Sequence, residues 1–188
     1  MASIDEAKIR DIVAQVVAEM SGSDGDSSAP NAPQPPARAS AATGHGIFGS
    51  AEAAVEAAVT AQQELVELGL DTRAAIIEAM REVGRQRARE LAELTVEETG
   101  IGRVEHKVGK NEGAANLSPG METLEAEAIT SDEGMLVIER APLGVINAIT
   151  PTTNPTPTII NNAILMVAAG NSVVFSPHPR AAKCCLRA

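Results

Sequence analysis

The sequence predicts an α/β fold in which a run of helices precedes the first strand–helix–strand unit of a Rossmann-like sheet. Two short apolar runs, residues 145–149 and 171–175, have the length and β-branched content of buried strands, and a stretch of helical length separates them. Helix-forming residues dominate from residue 50 to about residue 110. A sheet of this kind needs several more strands to close, so we expect the 188 residues to be an incomplete part of a larger protein.

Composition limits the core and excludes two classes of protein. Hydrophobic residues make up 44% of the chain, but only Phe48 and Phe175 are aromatic, so the core must be aliphatic. The net charge is -10 and the basic residues are scattered, which argues against nucleic-acid binding. The sequence lacks both a signal-peptide pattern and a run of membrane-spanning length, so we expect a cytoplasmic protein with no membrane partner.

The chain divides into three predicted units. Residues 1–20 predict a short amphipathic helix, because apolar side chains recur there at steps of three and four. Residues 21–45 are rich in Ser, Gly, Asp, Pro and Ala, and their prolines bar helix and sheet, so this unit is expected to be a disordered linker. Residues 46–188 form the third unit, which carries the α/β fold.

The helical part of the third unit is interrupted by glycines at two places, residues 69–71 and 100–102. The pattern predicts helices over residues 50–68, residues 71–83 running on to 99, and residues 104–117. Beyond them, residues 135–139 and 145–149 predict two strands separated by a bend. Residues 135–138 are nearly all apolar, so we expect that strand to be covered on both faces or to pack against a partner subunit.

The turn after the strand at 145–149 reads Thr150-Pro151-Thr152-Thr153-Asn154-Pro155. Ligands of open α/β sheets bind beyond the carboxyl ends of the strands, so this turn is expected to face a cofactor crevice. Two interpretations of Asn154 remain open. Its side-chain amide is either a fixed donor aimed at a developing oxyanion or a cap of the following helix, and spacing alone favours the cap.

A second polar turn, Ser176-Pro177-His178-Pro179, follows the strand at 171–175. In a doubly wound sheet an adenosine ribose lies at this place, and the prolines hold His178 in an extended conformation. Without further context, a solvent-exposed turn histidine is the simpler interpretation. A Gly-x-Gly-x-x-Gly phosphate loop is absent from the first strand-to-helix turn, and no metal site is expected.

Cys184 and Cys185 are the two cysteines of the chain and lie on the predicted helix after the second strand. Their adjacency makes a structural disulfide between them unfavourable and agrees with a reducing compartment. No general base is evident near them in the sequence. We therefore interpret them as packing or incidental surface residues and not as nucleophiles.

Residues 46–188 resemble the N-terminal part of the coenzyme A-acylating aldehyde dehydrogenases, especially the propionaldehyde and acetaldehyde dehydrogenases of bacterial microcompartments. The resemblance is carried by the segments EETGIGRVEHK (97–107), APLGVI (141–146), TPTTNP (150–155), IINN (159–162) and AAGNSVVFSPHP (168–179). Hydrolytic members commonly have a Trp before the equivalent of Asn154 and a Lys-Pro pair in place of residues 176–179. The resemblance therefore indicates the acylating type, and it strengthens the oxyanion interpretation of Asn154.

The resemblance implies a mechanism and a set of site residues. A thiolate attacks the aldehyde, Asn154 and a backbone amide stabilise the oxyanion, hydride passes to NAD, and coenzyme A releases the thioester. The expected cofactor-lining residues are Thr150, Pro151, Thr152, Thr153, Ser176 and His178. The family's nucleophilic cysteine lies well downstream of residues 176–179, so the isolated chain is expected to be inactive. Arg180 leaves the choice between NAD and NADP open.

Residues 1–20 and the linker resemble an encapsulation peptide, which docks on a microcompartment shell protein. The alternative is a helix that pairs with its own copy in a homo-oligomer, and a homo-oligomer is expected for the full-length protein. Two other functions stay open. One is a noncatalytic cargo adaptor that docks on the shell, and the other is a hydrolytic aldehyde or semialdehyde dehydrogenase of the same superfamily.

Overall fold

The structure is a computed structural model and describes residues 46–188. The predicted helix at 1–20 and the predicted linker at 21–45 lie outside the described residues. Four helices open the described part: α1 (Ala51–Glu67), α2 (Leu70–Gln86), α3 (Ala88–Thr99) and α4 (Val104–Leu117). None of the helices within residues 46–188 is both long and apolar enough to cross a membrane.

Helices α2 and α3 were predicted as one run, and the structure separates them at Arg87. The backbone of Arg87 has φ -97° and ψ 3°, outside the helical region. Gly84 lies three residues before the break, but helix-forming residues continue on both sides of it, so the sequence predicts one uninterrupted run. Packing accounts for it: at Gly84 an added Cβ would lie 3.1 Å from the Ala115 Cβ, so α2 lies directly against α4. The change of direction at Arg87 then buries Leu91 of α3 in the same core.

A β-hairpin follows a short 3-10 helix at Met121–Leu124. Strands β1 (Glu127–Ser131) and β2 (Gly134–Ile138) pair antiparallel with each other. Strand β1 was not predicted, and β2 was. The expectation that β2 is covered on both faces is wrong within residues 46–188, because all five of its residues are exposed. The other alternative, a partner subunit packed against β2, stays a prediction.

The strand–helix–strand unit has the predicted order. Strand β3 (Val145–Thr150) leads into α5 (Pro155–Ala168), which returns to β4 (Ser172–Pro177). The two strands are parallel, with Val145 opposite Ser172 and Thr150 opposite Pro177. A 3-10 turn at Pro179–Ala181 and helix α6 (Ala182–Arg187) complete the described chain. The α/β fold class is therefore confirmed, with helices preceding one parallel strand pair.

The core is aliphatic, as the composition requires. Its larger cluster joins α2, α3, α4 and α5 through Ile77, Leu91, Ala115, Ile160, Ile164 and Ala168. Ile164 is completely buried, and burial of one such side chain stabilises the fold by about 1.5–3 kcal/mol. A smaller cluster joins α5 to the C-terminal residues through Ile159, Ala181, Cys184 and Cys185. Both clusters fix α5, and α5 begins directly after the Asn154 turn.

Candidate active site at the carboxyl edge of the parallel strands

The two polar turns singled out in the sequence meet at one edge of the strand pair. Because β3 and β4 are parallel and in register, both turns leave from their carboxyl ends. The His178 amide donates to the Thr150 carbonyl at 3.1 Å, which continues the strand ladder by one bond. The structure therefore brings the Asn154 turn and the His178 turn side by side, in the position where α/β sheets bind ligands.

The residues of the first turn differ in accessibility. Thr150 is 1% exposed, and its hydroxyl lies 3.5 Å from the Cys185 sulfur. Its side chain therefore points into the protein. Pro151 and Thr153 are exposed, and Thr152 is half-buried. Of the four predicted cofactor-lining residues in this turn, the last three are thus accessible to a ligand.

Asn154 occupies the N-cap position of α5, but its side chain makes no capping hydrogen bond. The side-chain cap favoured by spacing is therefore wrong. The backbone carbonyl of Asn154 instead accepts from the Thr158 hydroxyl at 2.6 Å. The side-chain Oδ1 accepts from Lys110 Nζ at 2.8 Å. Within residues 46–188 no hydrogen bond engages the Nδ2 of Asn154, a half-buried residue beyond the carboxyl end of β3.

A second lysine of α4 supports the same turn. Lys107 is 3% exposed, and its ammonium donates to the Thr153 carbonyl. Burial lowers the pKa of Lys107, and the charge of nearby Lys110 lowers it further. Neither lysine is assigned a role by the sequence pattern. Their spacing, three residues apart on a predicted helix, is a signal that they share one face.

A buried polar network lies beneath the turn. Thr156, in the first turn of α5, donates to Asn111 Oδ1 at 2.8 Å. The amide of Asn111 donates in turn to the Ala88 carbonyl at 3.0 Å. Asn111 and Thr156 are both completely buried. Because buried polar groups are costly unless paired, this network fixes α3, α4 and α5 in one arrangement.

The second turn presents polar groups to solvent. Ser176 is exposed and donates to Asn147 Oδ1 at 3.0 Å. His178 is also exposed, and its Nδ1 accepts from the Arg180 amide at 3.1 Å. In the neutral ring the proton is therefore on Nε2, the nitrogen that is free for a ligand. Both predicted residues of this turn are accessible at the same edge as Asn154.

Cys184 and Cys185 are buried and free of disulfides. Burial, and next the neighbouring Glu98 carboxylate, raise the pKa of the Cys184 thiol to about 12. Burial likewise raises the pKa of the Cys185 thiol. Glu98 also accepts from the Cys184 amide at 2.7 Å and so holds the start of α6. These environments keep both thiols protonated, in agreement with packing residues and not with nucleophiles.

Known proteins are similar in sequence to this chain. The profile of the aldehyde dehydrogenase family matches residues 26–188. Acetaldehyde dehydrogenase (acetylating) EutE of Salmonella typhimurium is 52% identical over 143 residues, which cover 76% of this chain and 30% of that protein. The chain thus spans about 30% of the length of this curated relative.

Solved structures are similar to this chain in both sequence and fold. Propionaldehyde dehydrogenase of Rhodopseudomonas palustris with bound propionyl-CoA aligns with a TM-score of 0.72 at 46% identity, covering 76% of this chain and 32% of that one. A C269A mutant of propionaldehyde dehydrogenase from the Clostridium phytofermentans fucose utilisation bacterial microcompartment aligns with a TM-score of 0.72 at 45% identity, covering 75% and 33%. With the profile match over most of its length, the chain belongs to the aldehyde dehydrogenase family.

Proposed function

We propose that this chain is the N-terminal part of an NAD-dependent, coenzyme A-acylating aldehyde dehydrogenase that oxidises acetaldehyde or propionaldehyde to the acyl-CoA. The proposal rests chiefly on Asn154 at the carboxyl end of β3, whose side-chain Nδ2 makes no hydrogen bond to any other group of residues 46–188. The names of the acetylating and propionyl-CoA-bound relatives support acylation over hydrolysis. The sequence at Ser176–Pro179, which lacks the Lys-Pro pair typical of hydrolytic members, supports it too.

The chemistry assigned to this chain is stabilisation of charge and placement of ligands. As a thiolate adds to the aldehyde, the carbonyl oxygen becomes negative, and Asn154 Nδ2 donates to it. A fixed donor in a sheltered crevice stabilises the oxyanion more than water does, because it needs no reorientation during the reaction. Cys184 and Cys185 are buried with raised pKa values, so the proposal places the nucleophile outside residues 1–188.

The accessible polar edge fits a nicotinamide dinucleotide. Thr152 and Thr153 are assigned to the nicotinamide side, and Ser176 and His178 to the adenosine ribose. NAD, when bound, accepts the hydride from the substrate carbon. Arg180 donates through Nη2 to the Thr99 carbonyl at 3.5 Å, so its guanidinium is directed toward α3. The exposed guanidinium keeps its charge and its other donors for a 2′-phosphate, so Arg180 leaves the choice between NAD and NADP open, and NAD is proposed from the resemblance alone.

The proposal is tested by identifying the product. We expect the complete protein that contains this chain to form NADH and acyl-CoA in equal amounts from propionaldehyde, coenzyme A and NAD. The isolated residues 1–188 should form neither. Free propionate in place of propionyl-CoA would show a hydrolytic enzyme. Turnover by residues 1–188 alone would contradict the placement of the nucleophile.

The proposal includes a location inside a bacterial microcompartment, with residues 1–20 as the anchor on a shell protein. The support is the amphipathic pattern of these residues and the microcompartment named for a relative. A fluorescent reporter fused to residues 1–20 should form foci in cells that make shells and stay diffuse in cells that do not. The matched control carries Ile12→Asp and Val16→Asp, which place charges on the apolar face. A diffuse signal from the unaltered fusion in shell-producing cells would rule out the anchor.

A homo-oligomer of the complete protein is also part of the proposal. Strand β2 exposes four consecutive large apolar side chains, the most exposed being Met135 at 70% and the least Ile138 at 41%. Successive side chains of a strand alternate between its faces, so each face of β2 presents two of them, and each pair is stabilised when another surface removes it from water. A second copy of the same protein is the partner that we assign to this strand.

A further inference from the structure

We propose that Lys110 is a positioning residue for Asn154, which it holds with Oδ1 bound to α4 and Nδ2 free to donate. The inference rests on the proposed function, in which Nδ2 stabilises the oxyanion. The two residues are 44 positions apart in the sequence, and their side chains meet at 2.8 Å. Lys110 itself is exposed, and the proposed function assigns it no contact with the substrate.

The chemistry of the two groups fixes the orientation of the amide. A lysine ammonium has three donors and no acceptor, whereas a carboxamide has a donor end and an acceptor end. If the amide of Asn154 were reversed, two donors would face each other and the hydrogen bond would be lost. Lys110 therefore selects the one orientation that leaves the nitrogen of Asn154 available.

The positive charge also strengthens the donor. When Oδ1 accepts a hydrogen bond from a cation, the amide is polarised and its N–H groups become better donors. Lys110 thus acts on Asn154 in two ways, by orientation and by polarisation. Both effects reach the reaction only through the Asn154 side chain, and this restriction makes the role testable.

Lys107 gives the arrangement its rigidity. It lies one helical turn before Lys110 and binds the carbonyl of Thr153, the residue immediately before Asn154. Two consecutive residues of the turn are therefore held by one face of α4. Helix α4 is in turn fixed by buried Asn111. A site residue whose side chain and preceding backbone are both held keeps its geometry within the narrow range that catalysis requires.

A double-mutant cycle in the complete enzyme tests the proposal. We expect Lys110→Met, which keeps the length of the side chain and removes the charge, to lower kcat about tenfold, with the KM for NAD unchanged. Lys110→Arg should retain most of the activity, and Lys183→Met, at an exposed lysine on α6, should match the wild type. In an Asn154→Ala background, Lys110→Met should have no further effect. An equal loss in both backgrounds would overturn the proposal.

A spectroscopic readout separates this proposal from the proposed function. In protein labelled with ¹⁵N-asparagine, the Asn154 side-chain amide signals are identified by their disappearance in Asn154→Asp. We expect Lys110→Met to shift these signals toward the position of free asparagine, and Lys110→Arg to leave them near their original position. Unchanged signals in Lys110→Met would overturn the positioning role. Absence of acyl-CoA production by the wild type would instead reject the function, while the signals still decide the role of Lys110.

Discussion

Asn154→Ala is expected to lower kcat for acyl-CoA formation by about 10²–10³ in the complete enzyme, which corresponds to about 2.7–4 kcal/mol of lost transition-state stabilisation. The reason is that the side-chain Nδ2 of Asn154, beyond the end of β3, makes no hydrogen bond to any other group of residues 46–188 and is available to the oxyanion. The loss should fall on kcat more than on the KM for aldehyde, because the donor binds the charged oxygen that develops during the reaction. Steady-state kinetics of NADH formation measure both constants.

Two further variants separate the donor role from a structural one. Asn154→Asp keeps the size of the side chain and the contact with Lys110, but it has no N–H and brings a negative charge, so its kcat should fall at least as far as that of Asn154→Ala. Asn116→Ala removes an exposed asparagine of α4 that binds Arg85 and should leave kcat near the wild-type value. Activity of Asn154→Ala within threefold of the wild type would contradict the role of Asn154.

The reactivity of Cys184 toward alkylating reagents is expected to be about a thousandfold lower at pH 8 than that of an ordinary cysteine. Burial, with a smaller contribution from Glu98, raises the pKa of this thiol to about 12. The reactive species is the thiolate, and its fraction falls tenfold for each unit by which the pKa rises. Because the pKa is raised, the thiol stays protonated across the physiological range, and its reactivity should increase only at strongly alkaline pH. Mass spectrometry after timed exposure to iodoacetamide measures the rate at Cys184.

An introduced cysteine serves as an internal reference for this measurement. Asp132 is exposed in the turn of the hairpin, so Asp132→Cys should label at the rate of a free thiol. Unfolding the protein in guanidinium should bring Cys184 to the same rate. Rapid labelling of Cys184 in the folded protein would show that its thiol is neither buried nor protonated. Cys184 would then be a candidate nucleophile.

The strand–helix–strand unit was predictable because its signals are local. Strands β3 and β4 are apolar runs of strand length, and Pro155 and Pro157 occur where a helix begins. Strand β1 was missed because its sequence, Glu-Ala-Ile-Thr-Ser, is half polar and all of its residues are exposed. The break at Arg87 was missed because helix-forming residues continue past Gly84, and the close contact of Gly84 with α4 is visible only in the tertiary structure.

The candidate site was predictable only in part, for a physical reason. The position of the Asn154 turn follows from the strand that precedes it, because a strand and the turn after it are formed by adjacent residues of the sequence. The contacts of this turn do not follow, because Lys110, which binds Asn154, and Lys107, which binds Thr153, belong to a helix far away in the sequence. Spacing favoured a side-chain cap, and the structure shows that a lysine competes for the same side-chain oxygen.

The buried network of Asn111 and Thr156 has a consequence for ligand binding. A loop that becomes ordered only when a ligand arrives loses conformational entropy at that moment, and the affinity falls accordingly. The turn at 151–154 is followed by a helix whose first turn is already joined to two others through completely buried hydrogen bonds. The turn at 151–154 is therefore ordered during folding. A ligand that binds there does not have to order it, so this entropy cost does not lower the affinity.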